Sequence, residues 1–264
     1  MASPVLHIEG VSKTFRSGNN DDVYALSPFD LSINEGEFVS IIGPSGCGKS
    51  TLFNIVGGLE ISDTGKVLVD GNQVDGSHHD IGMVFQEEST FPWRTVLDNV
   101  AFPLEVAGIG KSERYEKARE LIDLVGLAGF EKRVPSELSG GMRQRTAIAR
   151  TLAFEPRILL LDEPFAAIDE QTRMLLGEQL LEICAKLKQT TLLITHNISE
   201  AIQLSDRLVV MSFRPGTIKQ IIDIELPRPR TTDILGSDAF SHYVGLVWDH
   251  LRQEAARGMQ AVKQ

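Results

Sequence analysis

Four short runs of apolar residues stand out along the chain, at residues 38–42, 81–85, 158–161 and 192–194. Runs that are apolar on both faces are typical of strands buried inside a parallel sheet. Segments with helical or irregular patterns separate these runs, and the alternation predicts an α/β fold built around such a sheet.

The first forty residues have a different pattern. Residues 5–8 form a short apolar run, and residues 23–33 alternate between apolar and polar positions, which is typical of β structure. We expect an antiparallel β portion here. Near the other end, residues 208–211 and 218–224 are expected to close the main sheet.

A helical region interrupts the strands between about residues 95 and 135. Its spacing is clearest over residues 111–127, where apolar positions recur every three or four residues among charges. Because strands lie on both sides of it in sequence, we predict a helical subdomain inserted at about residues 87–150. It is too short to be an independent domain.

The C-terminal tail regains helical spacing. Phe240, Val244, Val247 and Leu251 are apolar among polar neighbours. This spacing predicts an amphipathic helix that docks on the body of the protein. A helix that binds a partner is the alternative.

Composition narrows the possible functions. The chain has 264 residues, a formal net charge of −10 and a pI of about 5.1. This acidity disfavours electrostatic binding to nucleic acid or anionic lipid. No apolar run approaches the roughly 20 residues that span a bilayer, and residues 1–4 show no secretory signal. With only two cysteines, Cys47 and Cys184, a reducing cytoplasm is expected.

The first apolar run leads directly into a phosphate-binding motif. The motif has the pattern Gly, four residues, Gly-Lys-Ser/Thr, between a predicted strand and a predicted helix. Its backbone N–H groups can surround phosphate oxygens, and the helix N-terminus adds positive charge. The motif consists of Gly43, Pro44, Ser45, Gly46, Cys47, Gly48, Lys49, Ser50 and Thr51. Lys49 is expected to reach the β- and γ-phosphates, and Ser50 to bind Mg²⁺.

Polar side chains follow the other apolar runs. Gln86 follows the second run, Asp162 and Glu163 the third, and His196 the fourth. Ligands bind at the carboxyl ends of strands in open α/β sheets, so these residues should share one site with Gly43. Asp162 suits Mg²⁺, and Glu163 suits orienting or deprotonating the attacking water. A solvated loop carboxylate is the minor alternative for this pair.

A second anion-binding motif precedes the third run. Ser139 is a good helix N-cap, and Gly140 and Gly141 allow close approach to the N-terminus of the helix that follows. Alone, these residues are equally consistent with an ordinary capped helix. Phe15 is similarly ambiguous, since its ring could stack on adenine or pack at an edge of the core.

Together these motifs resemble the ATPase subunits of ABC transporters, and the resemblance covers nearly the whole chain. Residues 43–51 match the Walker A motif, residues 158–163 the Walker B motif, and residues 138–144 the signature motif, which other P-loop families lack. Four single residues complete the set: Gln86 for the Q-loop, Asp169 for the D-loop, His196 for the switch histidine and Phe15 for the aromatic A-loop.

The resemblance implies a P-loop NTPase parallel-sheet core with an N-terminal antiparallel β subdomain and the inserted helical subdomain. This ABC ATPase domain would span residues 1–232, with a helical tail at residues 233–264. ATP and Mg²⁺ are the implied cofactors. The implied catalytic residues are Glu163, His196, Gln86 and Lys49, the metal-binding residues are Ser50, Gln86 and Asp162, and ATP would contact Phe15, residues 43–51, Ser139, Gly140, Gly141 and Asp169.

The resemblance also implies partners. In the family, two ATPs are sandwiched in a head-to-tail dimer, so each Ser139-Gly140-Gly141 would serve the other chain's γ-phosphate. The permease would be a separate membrane protein, and the chain would lie at the cytoplasmic face of the inner membrane. A periplasmic or extracellular solute-binding protein would complete the system, with no nucleic acid involved.

Several features resemble the nitrate, sulfonate and taurine importer branch of the family. They are residues 91–93, the form of the signature at residues 142–145, and residues 226–230 before the tail. Two features depart from the usual pattern: Asn197 follows the switch histidine where Asp is usual, and residues 166–169 form a variant D-loop. Neither removes a presumed catalytic group.

Three alternatives remain open. One is the ATPase subunit of an ABC exporter, because the sequence does not settle the direction of transport. A soluble ABC ATPase that acts on DNA or ribosomes is disfavoured by the acidic charge and by the lack of a long coiled coil or second ATPase unit. A P-loop kinase or GTPase leaves residues 138–144 unexplained and lacks an evident guanine-binding motif.

Overall fold

A computed structural model describes residues 4–16, 22–86, 89–166 and 168–261. The strands are β1 (Pro4–Phe15), β2 (Val23–Asn34), β3 (Phe38–Ile42), β4 (Thr64–Val69), β5 (Asn72–Gln73), β6 (Ile81–Val84), β7 (Ile158–Asp162), β8 (Thr190–Ile194), β9 (Arg207–Met211) and β10 (Ile218–Asp223). The helices are α1 (Lys49–Val56), α2 (Val96–Val106), α3 (Lys111–Leu124), α4 (Gly140–Leu152), α5 (Glu170–Leu187), α6 (Ile198–Leu204) and α7 (Asp238–Ala261). Short 3₁₀ turns lie at Pro135–Glu137 and Thr232–Gly236.

The central sheet has six strands in the order β10-β9-β3-β8-β7-β6. Its strands run parallel except β10, which pairs antiparallel with β9. Strands β3, β7 and β8 are buried along their whole length, which explains why each is a continuous run without alternation. The prediction of a parallel core sheet is confirmed.

The N-terminal strands form a separate antiparallel sheet in the order β2-β1-β4-β5, as predicted. One apolar core joins this sheet to the central sheet through α1. Leu6 and Phe29 of the antiparallel sheet, Phe53 of α1 and Leu160 of β7 all belong to it and are at most 1% exposed. Helix α1, which follows the phosphate-binding motif, is thus held between two sheets.

The other face of the central sheet carries the helical region. Val100 of α2, Ile122 of α3 and Ile148 of α4 share one core with Leu159 and Leu161 of β7. Helix α4 begins at Gly140 and runs to Leu152, past the predicted end of the insert at residue 150. Helix α4 therefore extends from the second anion-binding motif toward β7, the strand that carries Asp162.

The tail helix α7 docks on the outer part of the central sheet, as its spacing predicts. Phe240 and Val247 are buried against Ile202 of α6 and Val210 of β9. The segment before α7 is anchored by Arg230, which is 3% exposed and donates hydrogen bonds to the backbone carbonyls of Leu226, Ser205 and Ile224. In the described part of the chain, none of the helices has the length and apolar character to cross a membrane.

Candidate nucleotide-binding and hydrolytic site

The phosphate-binding loop lies between β3 and α1, and its glycines are needed for close packing, for backbone conformation, or for both. A Cβ on Gly43 would lie 2.8 Å from Sγ of Cys47, so packing excludes one there. Gly46 has a φ of +74°, which glycine adopts at no steric cost. Gly48 has a φ of +99°, and a Cβ there would lie 2.6 Å from the Ala25 carbonyl oxygen.

Lys49 begins α1 and is folded back into the loop. Its Nζ donates to the carbonyl oxygens of Gly43 at 2.8 Å and Pro44 at 3.1 Å, and the residue is only 8% exposed. A nearly buried cation is costly unless it is hydrogen-bonded. The loop therefore holds the ammonium beside the N-terminus of α1, where phosphate groups bind.

Four other residues of the loop differ in how far their side chains are exposed. Ser45 and Ser50 are exposed, and Thr51 is half-buried on the first turn of α1. The Cys47 side chain is fully buried, and its N–H donates to the Pro44 carbonyl at 3.3 Å within the loop. Burial also raises the pKa of the Cys47 thiol. The thiol therefore faces the core, and we expect Ser50 to offer the hydroxyl.

Asp162 ends β7, and its side chain suits a divalent cation. Burial raises its carboxyl pKa to about 6, with repulsion from Glu163 adding to the effect and attraction from Lys49 opposing it. Among the residues that the structure describes, its buried Oδ1 has no hydrogen-bond partner, and an unpaired buried carboxylate oxygen is costly. Mg²⁺ prefers carboxylate oxygens. The donor set therefore fits Mg²⁺, with Asp162 and the exposed Ser50 as ligands.

Glu163 follows Asp162 and contacts His196. Oε2 of Glu163 lies 3.0 Å from Nδ1 of His196, and the Glu163 side chain is 17% exposed. Its φ is +44°, a conformation that non-glycine residues rarely adopt and that is often found at functional sites. Asp162 pairs in register with Ile194, and the Glu163 N–H donates to the Ile194 carbonyl at 2.8 Å. The predicted juxtaposition of residues 162, 163 and 196 is thus present.

The backbone after His196 is fixed by α6. The Asn197 side chain caps α6 by accepting a hydrogen bond from the Glu200 N–H at 3.0 Å. Thr195 in turn donates from its hydroxyl to the buried Glu200 carboxylate and accepts from the Asn197 N–H. Asn and Asp are about equally good N-caps. The departure from the usual Asp therefore leaves the position of His196 intact.

A cleft of about 350 Å³ lies between the phosphate-binding loop, Glu163 and Phe15. Phe15, 41% exposed at the end of β1, lines it beside the loop residues, which places this ring where a base could stack. Val23, Ala25 and Arg214 line the cleft but are not among the predicted site residues. Arg214 is the charged one of the three: it lies in the β9–β10 connection, and its Nε donates to the Gly46 carbonyl at 3.1 Å. The lining residues are Phe15, Val23, Ala25, Ser45, Gly46, Gly48, Lys49, Ser50, Thr51, Glu163 and Arg214.

Gln86 lies apart from these contacts. It is exposed and follows β6 by two residues, at the same carboxyl-terminal edge of the sheet as Asp162. Its predicted roles with water and Mg²⁺ rest on this position at the sheet edge.

The second anion-binding motif is not part of this cleft. Ser139 caps α4, and Gly140 and Gly141 form its first turn. A Cβ on Gly141 would lie 3.2 Å from Leu176 of α5, whereas one on Gly140 would meet its nearest neighbour at 3.8 Å. Asp169 caps α5 by accepting from the Thr172 N–H at 3.0 Å. Ala167, in the predicted D-loop, lies outside the described residues.

The fold and the cleft define a P-loop nucleotide-binding protein, and comparison with known proteins specifies its family. Residues 26–166 match the ABC transporter family. The chain belongs to that family and is an ATP-binding cassette ATPase. Its structure is similar to that of a dimeric, post-hydrolysis ATP-binding cassette, MJ0796, bound to ADP and Pi, with a TM-score of 0.74, 34% sequence identity, and coverage of 84% of this chain and 100% of that one.

Two curated relatives are import proteins. The nitrate import ATP-binding protein NrtD of Synechocystis sp. is 45% identical over 227 residues, which cover 86% of this chain and 85% of the relative. The aliphatic sulfonates import ATP-binding protein SsuB of Bacillus cereus is 45% identical over 226 residues, with coverage of 85% and 88%. Similarity therefore extends along most of both relatives.

Proposed function

We propose that this protein is the ATP-hydrolysing subunit of an importer for a small oxyanion such as nitrate, taurine or another sulfonate. The observation that carries the proposal is the Glu163–His196 pair, in which Glu163 lines the same cleft as the phosphate-binding loop. Similarity to nitrate and sulfonate import proteins supports the direction of transport and the solute class.

Lys49 and the loop backbone bind the phosphates of ATP. Ser50 and Asp162 would hold Mg²⁺, and the bound ion would supply positive charge to offset the negative charge that develops on the phosphate oxygens. The unpaired Oδ1 of Asp162 supports this assignment, and we expect Gln86 to contact the metal and the water from the sheet edge. Phe15 stacks on the adenine ring.

Glu163 accepts the proton of the attacking water and orients it toward the γ-phosphate. His196 is close enough to Glu163 to fix the orientation of its carboxylate by a hydrogen bond from Nδ1. With 58% of its side chain exposed, His196 also has room to contact the γ-phosphate. The pair therefore links the state of the nucleotide to the position of the base.

A second copy of the chain completes each site. Ser139, Gly140 and Gly141 start α4 outside the cleft, so they are available to another chain's nucleotide. The N-terminus of α4 has the positive partial charge that suits a γ-phosphate. We infer a head-to-tail homodimer in which Asp169 lies near the interface. The dimeric state of the MJ0796 cassette supports this arrangement.

The segment at residues 89–94 is a suitable docking surface for the permease. Trp93 is 76% exposed, although tryptophan is usually shielded from water. Fully buried Asn99 holds the segment by hydrogen bonds to both backbone groups of Phe91. The Arg150 guanidinium lies 4.9 Å from the Phe91 ring centroid. Since Arg150 belongs to α4, this contact links the docking surface to the second anion-binding motif.

With these roles, we infer that the protein is a peripheral subunit on the cytoplasmic face of the membrane. The permease and a solute-binding protein outside the cell are its expected partners. The permease supplies the membrane-spanning path, and the binding protein selects the solute.

Transport by cells that lack the gene for this chain tests the proposal. The cells are complemented with the wild type, with Glu163→Gln or with Asp249→Asn, an exposed carboxylate on α7 outside the site. We expect the wild type and Asp249→Asn, but not Glu163→Gln, to restore uptake of labelled nitrate, taurine or an alkanesulfonate. The importer assignment would be refuted if the wild type restored uptake of none of the three solutes, or if it restored efflux instead.

A further inference from the structure

The connection between β9 and β10, residues 212–217, packs tightly on the phosphate-binding loop. Gly216 donates from its N–H to the Ala25 carbonyl at 2.9 Å and accepts from the Ser27 N–H at 3.0 Å. A Cβ on Gly216 would lie 2.0 Å from the Cys47 carbonyl oxygen. The two loops are therefore in direct backbone contact, and this connection cannot shift without moving the phosphate-binding loop or β2.

Arg214 extends from this connection into the nucleotide cleft. One of its five N–H donors, at Nε, bonds the Gly46 carbonyl at 3.1 Å, and the side chain lines the cleft with Ser45 and Lys49. Arg214 is exposed, whereas Lys49 is almost buried. Arginine binds phosphate through charge-assisted hydrogen bonds of fixed geometry. Arg214 is thus a second cation in the cleft beside Lys49, and its charge lies on the solvent side of the cleft.

The opposite side of the same connection is held by the tail helix. Oε2 of Glu254, in α7, accepts a hydrogen bond from the Phe213 N–H at 2.9 Å. Glu254 is 1% exposed and pairs with Lys219 at 2.9 Å and Arg257 at 3.0 Å. A Cβ on Gly258 would lie 2.9 Å from the Phe213 ring, so α7 is in close contact here.

These contacts form a short path from the tail helix to the cleft beside the phosphate-binding loop. Burial alone would raise the pKa of Glu254, but hydrogen bonds from the Phe213 N–H and Lys219 outweigh it and lower that pKa. Glu254 is therefore ionised when it accepts the hydrogen bond from the Phe213 N–H. Phe213 is adjacent to Arg214 in the chain. No residue of this path was among the predicted site residues.

We propose that Arg214 is a nucleotide-binding residue that contacts the phosphates of ATP and ADP, and that Glu254 of the tail helix positions it. The inference rests on the proposed nucleotide site. It assigns the C-terminal tail a role in setting nucleotide affinity, in addition to its packing on the sheet.

Binding of the fluorescent nucleotide mant-ADP to the full chain tests the role of Arg214. We expect Arg214→Met to raise the Kd about 10-fold, as for the loss of one charge-assisted hydrogen bond. Arg214→Lys keeps the charge and should recover part of the affinity. The KM for ATP should rise in parallel while kcat changes little. Asp249→Asn, which removes a charge from the same tail helix, should bind as the wild type does.

Glu254→Gln tests the positioning role. It keeps the shape of the side chain but removes the ion pairs with Lys219 and Arg257, and we expect the Kd to rise about 3-fold. In the Arg214→Met background, the same substitution should cause no further loss, because the affected cation is already gone. A further loss of the same size would refute the positioning role. Thermal unfolding without nucleotide confirms that each variant is folded before its Kd is compared with that of the wild type.

Two outcomes separate this inference from the proposed site. If Lys49→Ala abolishes binding but folded Arg214→Met binds with wild-type Kd, Arg214 is not a nucleotide ligand and the inference is wrong. If the wild type does not bind mant-ADP, or Lys49→Ala binds unchanged, the nucleotide site itself is wrong and the inference fails with it.

Discussion

Nδ1 of His196 lies 3.0 Å from Oε2 of Glu163. The two residues follow strands β8 and β7, which are neighbours in the parallel sheet, with Asp162 opposite Ile194. Sheet register therefore brings the pair together, and the Glu163 N–H to the Ile194 carbonyl hydrogen bond fixes it. A pair held in this way is preorganised, which is the main means by which enzymes accelerate phosphoryl transfer.

Glu163→Gln should nearly abolish ATP hydrolysis while ATP still binds. General-base catalysis contributes about 10²- to 10⁴-fold to rate, so we expect kcat to fall at least ~100-fold. The amide keeps the size of the side chain, so the affinity for ATP should change little. Steady-state phosphate release and equilibrium binding of mant-ATP measure the two effects. Substantial residual turnover would exclude Glu163 as the base.

His196→Ala provides the matched comparison for this prediction. If His196 acts by orienting Glu163, its loss should lower kcat, and the double variant should be no slower than Glu163→Gln alone. Additive losses in kcat would instead mean that the two residues act independently.

Gly48→Ala should destabilise the protein and prevent nucleotide binding. The φ of +99° disfavours any side chain, and the new Cβ would lie 2.6 Å from the Ala25 carbonyl oxygen. A cost of about 1–3 kcal/mol is expected for the backbone conformation alone. Gly76→Ala is the control, because a Cβ on Gly76 would have no atom within 4 Å in the part of the chain that the structure describes. Equal melting temperatures for both variants, measured by calorimetry, would contradict the geometry.

Asp162→Asn should stabilise the metal-free protein while it abolishes hydrolysis. Burial, with repulsion from Glu163, raises the carboxyl pKa from 3.8 to about 6. Because the folded form binds the proton more tightly, ionisation opposes folding progressively as pH rises from 4 to 6 and fully above 6. At pH 7.5 in EDTA, Asp162→Asn should raise the free energy of unfolding by about 1–3 kcal/mol relative to the wild type.

The pH dependence is the control for this prediction. The stability advantage of Asp162→Asn, measured by urea unfolding, should shrink as pH falls through 6 and disappear near pH 4. An advantage that does not vary with pH would mean that charge is not its cause. Excess Mg²⁺ and ATP should stabilise the wild type but not the variant, since the proposed ligand is gone.

Both cysteines should resist alkylation in the native protein. Burial raises the pKa of Cys47, and burial also raises the pKa of Cys184 to about 11. The thiolate is the reactive form, so iodoacetamide at pH 7.5 should label both only slowly, and faster at pH 9. Mass spectrometry measures the extent at each site. Complete labelling of Cys47 within minutes at pH 7.5 would contradict its placement in the core.

Much of the site could be predicted from sequence, because its residues follow strands. Parallel strands that are buried on both faces are continuous apolar runs, and their carboxyl ends meet at one edge. That rule alone brings Asp162 and His196 together. The Walker A glycines were predictable because a tight loop at a helix N-terminus needs the φ angles of Gly46 and Gly48.

Arg214 could not be predicted in the same way. It lies on an irregular connection, 168 residues from Gly46 in sequence, and reaches the loop through tertiary contacts of the β9–β10 pair. No periodicity marks a lone arginine before a proline. The role of Glu254 was hidden for a similar reason: a carboxylate on an amphipathic tail is normally solvated, and only packing reveals that it is buried.

Gly140→Asp is a control variant that should prevent the inferred dimer without disturbing the fold. Within the described residues, a Cβ on Gly140 would have no atom closer than 3.8 Å, and Asp in the first turn of α4 favours the helix. Gly140→Asp should therefore fold normally, yet its charge would repel the γ-phosphate of the other chain's ATP.

Light scattering of Glu163→Gln with saturating Mg·ATP tests the central claim, that each hydrolytic site needs a second copy of the chain. With hydrolysis blocked, we predict that the mass doubles from the 29.1 kDa of one chain. Adding Gly140→Asp to both copies should return the mass to that of one chain. A Glu163→Gln protein that stays monomeric with ATP bound would contradict the claim.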